Sequence, residues 1–185
     1  MQFVQDVYSH DFDPTIEDNY RRYITVDGEE VLLDVLDTAD GSEFNALRDH
    51  FVLRSDLFMY IVSVDDANSL CHMAHNLQSI LRQKKLSRFP VLVIGINKID
   101  LDESMHVVTE QMVTDILRNL PIHDYAIFKM SAKARINVHE AFEELLRIYK
   151  SKRISHDQMM NMVLKVLKKD KKVLNIEGKK KCNLM

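Results

Sequence analysis

The stretch Val31 to Phe44, VLLDVLDTADGSEF, decides how this chain is read. An apolar run of strand length ends in Asp37-Thr38-Ala39 and then breaks at Asp40-Gly41 into polar residues. Buried strands that stop at an acidic residue before a flexible turn are how phosphate-handling α/β proteins deliver a carboxylate to a Mg²⁺ ion. Asp37 is therefore the first candidate site residue, although an acidic residue closing a strand also serves as a turn or helix-cap residue.

Two further stretches end in the same way. Val91 to Asp100, VLVIGINKID, is an apolar strand closing in Asn97-Lys98-Ile99-Asp100, and Met130-Ser131-Ala132-Lys133 follows a third, shorter apolar run. Strands separated by helical stretches, each carrying its polar motif at the C-terminal end, imply a parallel α/β sheet with its ligand at that edge. Upstream lies FDPTIEDNY, Phe12 to Tyr20, polar with Pro14 near its start, and so an exposed loop running into a strand. In order and spacing the four motifs resemble the Ras family of small GTPases, from Met1 to about Lys150 and again at the last four residues. The resemblance implies an α/β fold of the Ras-like, three-layer P-loop NTPase type, mostly parallel with one antiparallel hairpin strand.

It also implies roles for individual residues. Asn97, Lys98 and Asp100 fit the guanine-specificity motif. A carboxylate at Asp100 can accept both N–H donors on guanine's edge, Asn97 ties neighbouring loops, and the Lys98 stem covers the ring system. Ser131, Ala132 and Lys133 would offer a backbone N–H to the guanine carbonyl, and Tyr8 falls where the family places an aromatic ring against the base. Alone, Tyr8 would be an ordinary amphipathic-helix residue. Thr15 and Asp37 would bind Mg²⁺, with Thr15 sensing the γ-phosphate. Phe12, Asp13, Pro14, Thr15, Ile16, Glu17, Asp18, Asn19 and Tyr20 would form the effector segment, which without the resemblance reads as a connector. GTP or GDP and Mg²⁺ are the implied ligands. Effector proteins, exchange factors and GTPase-activating factors are the implied partners.

The chain departs from the family's pattern in two places. None of its four glycines, Gly28, Gly41, Gly95 and Gly178, begins the phosphate-cradling loop GxxxxGK[ST]. That loop would supply backbone N–H groups, a Lys for the phosphates and a Ser or Thr for Mg²⁺. The family's Asp-Thr-Ala-Gly-Gln also becomes Asp37-Thr38-Ala39-Asp40-Gly41, so Gly41 stands where the water-orienting Gln belongs. The expectation is a sheet lacking its first strand, between the strands of Val31–Leu36 and Leu57–Val64, and a switch whose GTP binding and hydrolysis are impaired. Two alternatives stand beside it: a GTP-hydrolysing switch whose N-terminus lies upstream of Met1, and a nucleotide-free effector-binding module.

The remaining elements follow from periodicity. Met1 to Ser9 has apolar Phe3, Val4 and Val7 at helical spacing. Asp27-Gly28 between the extended runs Arg21–Val26 and Glu30–Leu36 signals a type I′ hairpin, because Gly tolerates the positive φ required. Asn45 to Arg54 reads as a short irregular helix, the second switch by resemblance. Leu57 to Val64 reads as a buried strand and Ala67 to Lys85 as a helix. The spacing of His72, Met73 and His75 suits a core face and a solvated face rather than a metal site. A strand over Val91–Ile96, a helix over about Val108–Leu120, a strand over Tyr125–Met130 and a helix over Val138–Tyr149 complete the domain, placed at 1–150.

Composition bounds the rest. An apolar fraction of 46% with 29% charged residues is that of a soluble globular protein, and 2 cysteines imply no disulfide framework and a reducing, cytosolic setting. Residues 151–185 hold 10 Lys and Arg against 3 Asp and Glu, a net of +7, so the first 150 carry −10 of the total −3. An acidic body argues against nucleic acid binding, and the basic tail points at something anionic. Cys182-Asn183-Leu184-Met185 resembles a prenylation box, implying farnesyl transfer to Cys182, removal of the last three residues, methylation, and attachment to the anionic cytoplasmic face of the plasma membrane. The alternative is a chance cysteine fourth from the end, against which the adjoining Lys179, Lys180 and Lys181 weigh.

Overall fold

The structure, a computed structural model, describes residues 2–8, 17–38, 52–84 and 91–153. The chain divides into two compact units, 1–148 and 149–185. Of the second, residues 149–153 are described and are helical. The first unit runs α1 (Gln2–Gln5), β1 (Glu17–Val26), β2 (Glu29–Thr38), β3 (Leu57–Ser63), α2 (Asn68–Gln83), β4 (Val91–Asn97), a 3₁₀ turn (Glu103–Met105), α3 (Glu110–Arg118) and β5 (Tyr125–Lys129). A helix, α4, covers 138–148.

β4 lies between β3 and β5, parallel to both, and each connection crosses back through a helix, as parallel pairing demands. Val91 to Ile96 are all buried, which explains the continuous apolar run: a strand covered on both faces has no solvent side to mark with polar residues. Leu92, Ile94 and Ile96 join Val62, Met73, Leu77, Val113 and Leu117 in one core. On the opposite face, a Cβ at Gly95 would collide with Met130 Sδ and stand 2.8 Å from Ile61 Cδ1. Glycine is there because Met130 crosses directly over the strand.

β1 and β2 form the expected hairpin, antiparallel from Glu17↔Thr38 to Val26↔Glu29. Asp27 and Gly28 have φ of 53° and 81°, the two positive values of a type I′ turn. Both strands outrun the apolar pattern, because ladder hydrogen bonds continue past the last apolar residue. Glu17 to Tyr20 therefore belong to β1, and Asp37 and Thr38 to β2.

The described strands form two sheets, β1-β2 and β3-β4-β5. β2 and β3, the strands between which a gap is expected from the sequence, are not paired with each other. Side chains hold the hairpin instead. Val26 and Leu33 pack with Phe3, Met130, Val138 and Leu146, and Arg147 Nε donates to Asp27 Oδ1 at 3.0 Å. β3 is an edge strand of its sheet, and Ile61 on it is 43% exposed.

Local chemistry adjusts the helix ends. α1 is shorter than its apolar spacing suggested, because Asp6 adopts φ 57°, a left-handed value that ends a helix. α2 buries Leu70, Met73 and Leu77 and exposes His72 and His75. α3 starts after Thr109, whose side chain accepts from Met112 N–H, so the cap sets its first residue. The helix expected over 45–54 lies outside the described residues except for 52–54, which are helical.

Replacing Gly95 by alanine should displace Met130 and cost about 1–3 kcal/mol, the usual range for overpacking. Urea denaturation of Gly95→Ala against the unaltered chain measures this.

Candidate functional site

Parallel pairing brings the ends of β3, β4 and β5 to one edge, and the polar motifs meet there. Asn97 Oδ1 accepts the Ala132 N–H at 3.0 Å. Asp100 Oδ1 accepts from Ser131 Oγ, and that same oxygen of Ser131 accepts the Ala134 N–H at 2.8 Å. Ser131 is fully buried, and these two bonds satisfy its hydroxyl. Backbone bonds reinforce the junction: Ile99 N–H donates to Met130 O, and Ser131 and Ile136 exchange a pair at 3.0 Å. Asn97, Asp100, Ser131 and Ala132, the two pairs separated by some thirty residues in the sequence, thus form one platform, with Lys133 exposed beside it.

The donor set suits a planar base. Asp100 is exposed, and an ionised carboxylate has about four acceptor positions, of which Ser131 uses one. The Ala132 N–H, which the resemblance gives to a guanine carbonyl, is donated to Asn97 here, so a ligand oxygen would share or displace that bond. Lys98 has φ 69°, and its Nζ lies 3.2 Å from Asp65 Oδ1. Asp65 also accepts from Ser63 Oγ, and that bond, followed by the one from Lys98, lowers its pKa below the ordinary 3.8. Asp65 was not singled out from sequence. The signal was available, since Asp65-Asp66 closes β3 as Asp37 closes β2.

The residues that the resemblance assigns to phosphate and metal are more scattered. Asp37 is exposed, not enclosed as a buried strand end was expected to be, because the described structure lays no strand beside the second edge of β2. It faces Asp18 across the ladder. Thr15 and Gly41 lie outside the described residues. Among the described residues no group of three or more His, Cys, Asp or Glu could hold a metal ion. Asp37 supplies one carboxylate, which suits Mg²⁺ only when phosphate and water complete its octahedron.

Of the effector segment, Phe12, Asp13, Pro14, Thr15 and Ile16 lie outside the described residues, while Glu17, Asp18, Asn19 and Tyr20 open β1. Asp18 and Asn19 are exposed. Tyr20 Oη donates to Asp18 Oδ2 at 3.0 Å, and this bond to the carboxylate raises the Tyr20 pKa. Tyr8 is 44% exposed. The tail, with Cys182, is outside the described residues.

A clasp missed from sequence ties the end of α1 to β1, to the loop after β5 and to α4. Asp6 Oδ1 bonds His139 Nε2 at 3.1 Å, and Asp6 Oδ2 accepts from Arg22 at 3.2 Å. Its carbonyl accepts from Arg135, a residue of the loop after β5. Phe3 stacks on Phe142 with centroids 3.6 Å apart. No local pattern could have shown this, because its members come from α1, β1, the loop after β5 and α4.

The Ras family model matches residues 1–151. Over 147 residues, 80% of this chain, it is 37% identical to Ras-related protein R-Ras of Rattus norvegicus and 39% identical to that of Homo sapiens. The match covers 65% of each R-Ras protein, so the chain spans just under two thirds of their length. It is 35% identical to Ras-like protein 2 of Drosophila melanogaster over 185 residues, all of this chain and 88% of that protein.

The Arg22 bond, and after it the His139 bond, hold the Asp6 carboxyl below its ordinary pKa of 3.8. A depressed folded-state value stabilises above the unfolded pKa and is lost as pH falls through the folded one. Thermal melts between about pH 5 and pH 2 should therefore show the unaltered chain losing more stability than Asp6→Asn, with the two converging at the acid end.

Proposed function

Because this chain belongs to the Ras family, we propose that it is a membrane-anchored, guanine-nucleotide-binding signalling protein. In this reading, residues 1–185 recognise the base well and the phosphates poorly. The observation that carries it is the platform in which Asn97 holds Ala132 and Asp100 holds Ser131. Two acceptors and a backbone donor are fixed relative to one another before any ligand arrives, which lowers the cost of binding.

The phosphate half has fewer means. Residues 1–185 contain no GxxxxGK[ST], and Asp40 brings a negative charge where the family has a Gly. A lost charge-assisted hydrogen bond costs about 1.5–3 kcal/mol, so several together exceed about three decades in affinity. Gly41 cannot orient a water molecule, so hydrolysis suffers again. Asp37, with Thr15, is the Mg²⁺ ligand when nucleotide binds.

Signalling passes through the start of β1. The effector segment leads into a strand whose outer edge faces no other described strand, and an extended partner segment can add to such an edge. Asp18 supplies a charge for basic partner residues. At the other end, a farnesyl group on Cys182 with the net +7 of residues 151–185 gives the two signals that stable attachment to an anionic leaflet needs.

Titration of a polypeptide of residues 1–185 with fluorescent GDP in Mg²⁺ tests the nucleotide reading. Expected are selectivity for guanine over adenine, affinity more than about three decades weaker than when a P-loop segment is joined upstream, and no measurable GTP hydrolysis. Sub-micromolar binding by residues 1–185 alone would overturn it. Separately, Cys182→Ser should move the protein from the membrane to the soluble fraction of cells, and full retention on membranes would refute the lipid anchor.

A further inference from the structure

Lys98 belongs to the base-recognition motif, yet the residue that fixes its ammonium group comes from elsewhere in the chain. Its Nζ is 3.2 Å from Asp65 Oδ1 and 3.5 Å from Oδ2. Asp65 sits in the turn after β3 and is held firmly in place. Ser63 Oγ donates to its Oδ1, Val64 N–H donates to the Asn97 carbonyl at 3.0 Å, and Val64 O accepts from Val107 and Val108 at 2.9 and 3.0 Å. The turn bearing the carboxylate is therefore bonded to the strand end that bears the lysine.

The side chains of Asp65 and Lys98 are 26% and 51% exposed, so solvent screens their attraction and the pair adds little to stability. Its value is positional. A lysine stem loses rotamer freedom when it is ordered against a ligand. Fixing its far end in the free protein removes part of that cost beforehand. Pairing also neutralises the ammonium, leaving the apolar methylenes as the part presented to a ring.

We propose that Asp65 is a positioning residue for guanine-base recognition, tethering the Lys98 ammonium so that its methylene stem is ordered before the base arrives. This inference rests on the guanine-binding reading above. Asp65 acts through Lys98 and touches no ligand itself.

Guanosine and GMP are titrated into residues 1–185, and into Asp65→Asn, Lys98→Met and the double variant, following the amide resonances of Ala132 and Asp100. Asparagine keeps an acceptor for Ser63 and removes the charge, while methionine keeps an apolar stem and removes the ammonium. Asp65→Asn should weaken both ligands about threefold to tenfold, by the same factor for each, and should have no further effect in the Lys98→Met background. As a measurement on the unaltered fold, salt at about 1 M, which screens charges beyond about 3 Å, should weaken binding of neutral guanosine to the native chain and not to Lys98→Met. An equal loss in both backgrounds, no loss in the native background, or no salt effect overturns the tether. No guanosine-dependent shift in the native chain overturns the base-site reading and the tether with it.

Discussion

Burial of β4 on both faces, with a parallel strand hydrogen-bonded along each edge, is the constraint on which the rest depends. Inside that environment every side chain from Val91 to Ile96 must be apolar or absent, since an unpaired polar group there costs about 1–3 kcal/mol. Polar residues can begin only where the strand leaves the sheet, at Asn97. Parallel neighbours place Ser63 at the same edge, opposite Asn97, and Lys129 beside Ile96. The turn with Asp65, the loop with Lys98 and Asp100, and the loop with Ser131 and Ala132 are consequently neighbours in space. Their cross-bonds make a rigid corner out of three loops.

The hairpin depends on different forces. Among the described residues no backbone ladder joins β1-β2 to β3-β4-β5, so its position relies on packing around Phe3, Val26, Leu33 and Leu146, on Arg147 at the turn, and on the Asp6 clasp to Arg22 in the middle of β1. These contacts are individually modest, and a region held by few of them opens before a fully paired sheet does. The platform of Asn97, Asp100, Ser131 and Ala132 sits on the more strongly bonded part of the unit. Glu17 to Tyr20 open a strand on the part held by side chains.

Sequence determined much of this because the relevant physics is local. Apolar runs of strand length located β3, β4 and β5, since a strand covered on both faces has no polar side to mark. Asp27-Gly28 announced its turn, since few residues accept φ of 53° and 81° in succession. Asn97, Lys98, Asp100 and Ser131–Lys133 were legible as motifs closing apolar strands, and the four motifs in order identified the family.

Tertiary structure decided what periodicity does not encode. Whether β2 and β3 would pair depended on contacts across the unit, and among the described strands they lie in separate sheets. Asp37 proved exposed because burial of a strand end depends on what lies beside it. Ala132 gave its N–H to Asn97, a choice between residues 35 positions apart. Asp65 and the Asp6 clasp stayed hidden for the same reason. A carboxylate's partner is fixed by where the chain folds back, and sequence spacing carries no record of that distance.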